Sequence, residues 1–114
     1  MIEIKRYVHI YIAICSDIAN GILKPNQQLL SIRKLSKEIR VNPNTVQKAF
    51  RLLAQKGVLY SKRNIGWFVS NDICIATSII DEQIKKISYD FLFELKQFGL
   101  TKREILEMIR KYIP

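Results

Sequence analysis

The sequence predicts a mainly α-helical fold with a single small β-hairpin, and three observations lead there. Two short amphipathic patterns with helical spacing lie back to back in residues 31–57, SIRKLSKEIRVNPNTVQKAFRLLAQKG, with a tight turn at Arg40-Val41-Asn42. Two β-prone runs, Val58-Leu59-Tyr60 and Trp67-Phe68-Val69, flank the basic segment KRNIG. Beyond residue 70 the apolar residues keep helical spacing to Gly99, and a helix-capping signature follows. A helix-turn-helix with a basic hairpin is a winged helix. The expected organisation is an N-terminal winged helix-turn-helix domain over residues 1–70, followed by two C-terminal dimerisation helices over residues 71–114.

In the first helix, Ile4 to Asn20, Tyr7, Tyr11, Ile14 and Ile18 share one face and Gly21 stands as its C-terminal cap. Val8, Ile10, Ile12 and Ile14 also alternate as a strand would, but the length of the segment favours helix. The connection GILKPNQQLL turns at Pro25-Asn26, and Gln28-Leu29 suits a very short strand beside the hairpin. Ser31 is an N-cap for the second helix, whose core face is expected to be Ile32, Leu35 and Ile39. Asn42 caps the third helix, and Pro43 fits its first turn, where a missing N–H costs nothing. Val46, Ala49, Phe50 and Leu53 form its buried stripe, and Gly57 ends it. In the hairpin, Asn64 and Gly66 tolerate the positive φ of a tight turn, while Trp67 and Phe68 suit packing better than base stacking.

The fourth helix carries Ile73, Ile80, Ile84, Ile87, Phe91, Leu95 and Phe98 in a sustained stripe, broken at Gly99. At about 25 residues it would run roughly 37 Å, longer than a small winged domain can cover. Thr101 and Glu104 form a capping box for a fifth helix with Ile105, Ile109 and Tyr112 on one face. Apolar surface on that scale calls for a partner, and a symmetric homodimer is the simplest. The expected interface residues are Ile80, Ile84, Ile87, Phe91, Leu95, Ile105 and Ile109.

Composition narrows the function. Apolar content of 48% and charged content of 25% are those of an ordinary folded protein. Residues 1–70 hold 12 Lys and Arg against 3 Asp and Glu, whereas residues 71–114 hold 7 of each. The whole net charge of +9 therefore sits on the predicted winged helix, where it attracts polyanions. His9 is the lone histidine, and Cys15 and Cys74 have no metal spacing, so no metal site and no cofactor are expected. Both cysteines lie among apolar residues and read as small buried hydrophobes. There is no Ser-His-Asp set, no carboxylate pair near a histidine and no Gly-rich phosphate loop, so an enzyme is not expected. No convergent polar set marks a small-effector pocket. No signal peptide is evident and no apolar run approaches the ~20 residues of a membrane span, which points to the cytoplasm.

The major groove of DNA admits one α-helix, whose N-terminal side chains reach base edges. At the start of the third helix, Asn42, Asn44 and Gln47 suit adenine or water-mediated contacts. Lys48 and Arg51 suit phosphates, and Arg33 suits either role. Lys62 and Arg63 in the hairpin suit the backbone or a narrow minor groove.

From about Tyr11 to Ser70 the chain resembles the GntR-type bacterial transcription regulators. The resemblance rests on Gly21, Leu23, Pro25, Leu29, Ser31, Arg33, Val41, Asn42, Thr45, Val46, Gly57, Gly66, Phe68 and Val69. Three positions depart from the pattern: Asn26 replaces a turn glycine, Leu30 a proline, and Asn64 the first wing glycine. The resemblance implies that Arg33, Asn42, Asn44, Thr45 and Gln47 face double-stranded DNA and that Gly66 lets the wing approach it. Residues 71–114 are too few for the family's larger effector or aminotransferase-like domains, and resemble the short YtrA-like branch with its dimerisation helices. The expectation is a homodimeric repressor that binds a palindromic operator in its own operon. The alternative is a protein-interaction module that uses the winged helix as scaffold and docks a different protein through its C-terminal helices.

Overall fold

The computed structural model describes residues 5–114. Five helices and one hairpin follow in the expected order: α1 Arg6–Ala19, α2 Ile32–Ile39, α3 Pro43–Gln55, β1 Leu59–Lys62, β2 Gly66–Val69, α4 Cys74–Gln97 and α5 Lys102–Tyr112. The proposed start of the first helix at Ile4 lies outside the described residues.

The N-terminal core is built from α1 and α3, with α2 and β1 also packed on α3. Ile10, Ile14, Cys15 and Ile18 of α1 are buried against Val46, Ala49, Phe50 and Leu53 of α3, together with Val58, Leu59 and Val69 of the hairpin region. The spacing of that first group is helical, which settles the strand-or-helix ambiguity of α1. Trp67 closes the core with its ring edge-on to Phe50, centroids 5.5 Å apart, and Phe68 stacks on Tyr60. Burial pushes the Cys15 thiol up to about 11, so it stays protonated and inert at neutral pH.

Two side chains depart from expectation. Ile39 is 41% exposed, and Ser36 is buried in its place. Helix α2 is short, with Arg40 ending it at φ 53°, and of its expected core face Ile32 and Leu35 pack against the core. Ser36 loses nothing by burial, because its hydroxyl donates to the Arg33 carbonyl at 2.8 Å. Cys74 is exposed, not buried. It opens α4, and its N–H donates to Asp72 Oδ1 at 2.9 Å, an arrangement that belongs at a solvated helix start. That hydrogen bond holds the Asp72 carboxyl below its ordinary range, and the carboxylate in turn pushes the Cys74 thiol up.

The hairpin is antiparallel, with Leu59 opposite Val69, Tyr60 opposite Phe68, Ser61 opposite Trp67 and Lys62 opposite Gly66. The connection before α2 pairs with β2 through a bridge at Gln28 and Phe68, as the sequence suggested for Gln28-Leu29. Asn26 takes the place of a turn glycine at φ 64° and gains contacts glycine could not make. Its Oδ1 accepts from the Tyr60 hydroxyl at 3.2 Å, and its Nδ2 donates to Asn71 at 2.9 Å. The substitution is therefore compensated across the fold.

The compact N-terminal unit continues past Ser70 to Asp81, and a second unit comprises Glu82–Pro114. The reason lies in the first turns of α4: Ala76 is buried in the core, and Ile73, Ile79 and Ile80 pack on it. In the second unit, Thr101 and Glu104 cap α5 reciprocally, as the capping box requires.

Candidate nucleic-acid interface

The start of α3 is set by its cap. Asn42 Oδ1 accepts the Asn44 N–H at 2.8 Å, which fixes the side chain at the helix start and leaves its two amide donors and a second lone pair for a ligand. Pro43 follows at the first position, and the helix N-terminus adds partial positive charge next to Asn44 and Thr45. Asn44 and Lys48 are exposed, while Thr45 and Gln47 are partly so. Such a helix end, free of acidic residues in its first turn, offers hydrogen-bond donors to an anionic partner.

Asn44, Thr45 and Lys48 line an open cleft of about 480 Å³ together with Lys5, Arg6 and Tyr7. The Lys48 ammonium lies over the Tyr7 ring, 4.3 Å from its centroid. This contact restricts a long flexible side chain without neutralising its charge. Lys5, Arg6 and Tyr7 were not among the sequence-derived candidates. Their basic and aromatic character was visible, but their approach to α3 depends on how α1 packs, which no local pattern encodes.

The remaining candidates lie elsewhere on the N-terminal unit. Arg33 is exposed on the first turn of α2. Lys62 and Arg63 are exposed at the tip of the hairpin, with the Lys62 ammonium 4.7 Å from the centroid of Phe68. Asn64, at φ 66°, fills the position of a wing glycine, and Gly66 adopts φ 140°. A Cβ on Gly66 would come within 2.9 Å of the Gln28 amide nitrogen, so a side chain here would displace the Gln28 amide as well as strain the backbone at this φ. Among the described residues, no group of three or more His, Cys, Asp or Glu could hold a metal ion, and no helix is long and apolar enough to cross a membrane.

The C-terminal unit has a different surface. Ile84 and Ile87 are 57% and 58% exposed, and Phe91 is 43% exposed. Phe91 and Leu92 of α4 line an apolar groove of about 650 Å³ with Met108, Ile109 and Tyr112 of α5. Of the expected interface residues, Ile105 is buried within the chain and Ile80 is partly buried against the N-terminal core. Leu95 and Ile109 are partly exposed.

Comparison with known proteins places this geometry. A repressor, the HTH-type transcriptional repressor YtrA of Bacillus subtilis (strain 168), is 35% identical over 75 residues, 61% of this chain and 58% of YtrA. The solved structure of a GntR family transcriptional regulator from Listeria monocytogenes superposes with a TM-score of 0.87 over 97% of both chains, at 25% identity. The DNA-binding domain of AraR, solved in complex with operator ORX1, covers 60% of this chain and 82% of its own at 29% identity, with a TM-score of 0.57. The sequence pattern described as bacterial regulatory proteins, gntR family, matches residues 6–69, from the first residue of α1 to the last of β2. This chain belongs to the gntR family of bacterial regulatory proteins and is a DNA-binding transcription regulator of that family.

Proposed function

We propose that the protein is a homodimeric, cytoplasmic repressor that reads a palindromic operator in its own operon through two copies of α3. The observation that carries this is the polar start of α3, where Asn44, Thr45, Gln47 and Lys48 remain available on a helix whose opposite stripe is fully buried. In a major groove these side chains meet base edges and flanking phosphates, with Arg33 of α2 adding a further contact and the wing on the adjacent backbone or minor groove. The naming of YtrA as a repressor and the operator complexes of AraR support this assignment. Residues 71–114 serve as the dimerisation region. Ile84, Ile87 and Phe91 are too exposed for a chain that remains single, and a second copy is the partner that a palindrome requires. Two recognition helices on a two-fold axis set half-sites about one helical turn apart, or a multiple of it.

Base reading and backbone binding separate experimentally. On a site selected from genomic fragments, Gln47→Ala or Arg33→Ala is expected to weaken binding by about 1–3 kcal/mol, with little change on random duplex. Equal losses on both DNAs would remove Gln47 from base recognition. Lys62→Ala is expected to weaken binding to both DNAs alike and to flatten the dependence of log K on log salt by about one unit. An unchanged salt slope would detach Lys62 from the phosphates.

A further inference from the structure

We infer that Gln28 is the positioning residue of the wing, an inference that rests on the wing's proposed role in binding DNA. The side chain of Gln28 donates from Nε2 to the carbonyl oxygen of Ile65 at 3.0 Å, reaching from the connection before α2 to the turn of the hairpin. Among the described residues this is the only side-chain hydrogen bond that the hairpin turn receives from outside the hairpin. The backbone around Gln28 is itself fixed to β2: the Leu29 N–H donates to Trp67 at 2.9 Å, and the Val69 N–H donates to Gln27 at 2.9 Å. Gln28 thus extends a backbone ladder one step further, by side chain, to the tip.

The fit at the tip is close. The absence of a side chain at Gly66 leaves the space that the Gln28 amide fills, 2.9 Å from where a Cβ would stand. Residue Ile65, whose carbonyl is held, lies between Arg63 and Gly66 and is itself 60% exposed. Holding that carbonyl fixes the peptide between Ile65 and Gly66, and with it the direction in which Lys62 and Arg63 leave the hairpin. A basic hairpin that is ordered before it meets DNA loses less conformational freedom on binding. Gln28 acts through Lys62 and Arg63 and need not touch DNA.

The test uses the full chain and a fluorescein-labelled 30-bp duplex of mixed, A·T-rich sequence, read by anisotropy at low salt. Gln28→Ala is expected to weaken binding roughly fivefold, the scale of one partly solvated hydrogen bond. In a Lys62→Ala, Arg63→Ala background the same substitution is expected to have almost no further effect, because the groups it positions are gone. Equal fold losses in both backgrounds, or no loss in either, would overturn the positioning role. A second readout needs no DNA: trypsin cleavage after Lys62 and Arg63 is expected to accelerate in Gln28→Ala and in the isosteric Gln28→Glu, whose carboxylate cannot donate to Ile65. Unchanged cleavage in both variants, with thermal unfolding as in the parent, would likewise overturn it. Failure of the parent protein to bind the duplex would count against the DNA-binding wing itself, and the trypsin comparison would still decide the latch.

Discussion

Ile84→Lys combined with Phe91→Asp is expected to convert the protein from a dimer to a monomer and to lower affinity for a two-half-site operator by about a hundredfold or more. Both residues belong to the exposed apolar surface of α4, and neither supports the N-terminal core. A charge at Ile84 stays in water in the free monomer, while one at Phe91 also gives up the packing of that ring against α5, so unfolding of the monomer is measured alongside. Buried across an apolar interface either charge becomes expensive. The loss in DNA affinity follows because each monomer holds a single recognition helix, and the gain from engaging two linked half-sites disappears. Sedimentation gives the mass, and titration against operator and single half-site gives the affinities. Retention of the dimer mass in the double variant would move the interface away from α4.

The second large effect is on stability. Phe50→Ala is expected to destabilise the N-terminal unit by about 3–5 kcal/mol, a large share of the 5–15 kcal/mol typical of a whole domain. Phe50 is fully buried, and the ring of Trp67 stands edge-on to it. Its removal takes away apolar burial, leaves a cavity between α3 and the hairpin, and removes the edge contact to the indole. Trp67 is the sole tryptophan of the chain, so its fluorescence reports both the local change and the urea unfolding curve. A midpoint shift equivalent to less than about 1 kcal/mol would show that the core relaxes into the space or that its packing is otherwise arranged.

Much of this architecture is written in local chemistry. Ser31, Asn42 and the Thr101-Glu104 box mark three helix starts by the hydrogen bonds that their side chains make to unpaired N–H groups, and all three caps form as read. The stripe of α3 is legible for a similar reason: four apolar residues at helical spacing have one way to leave water. What stayed hidden depends on packing between distant segments. The αL conformation of Arg40 is not of that kind, because it closes a local helix C-cap in which the Val41 N–H donates to the Ser36 carbonyl at 3.0 Å, at the turn the sequence marks. The exposure of Ile39 and the burial of Ser36 are of that kind, because periodicity alone does not say which members of a short helix's apolar face meet the core.

The proposed DNA-binding surface divides in the same way. The start of α3 and the basic wing tip were visible as residue types in a recognisable order. The contacts of Tyr7 with Lys48 and of Gln28 with Ile65 join residues far apart in sequence, and neither pair carries a local signal. Ile105 fits the apolar periodicity of an interface, yet it is buried within the chain, and Ile80 is partly buried against the N-terminal core. Periodicity reports that a side chain avoids water, not which surface it avoids water with.

Recovery of sheared genomic DNA by the purified protein at near-physiological salt, with the bound fragments sequenced, tests the proposed function most directly. A dimeric regulator that reads bases with α3 predicts a small set of fragments that share one palindrome, with half-sites spaced by about one helical turn or a multiple of it. Uniform recovery of all fragments, governed only by length and salt, would contradict sequence-specific recognition and leave α3 binding the DNA backbone alone.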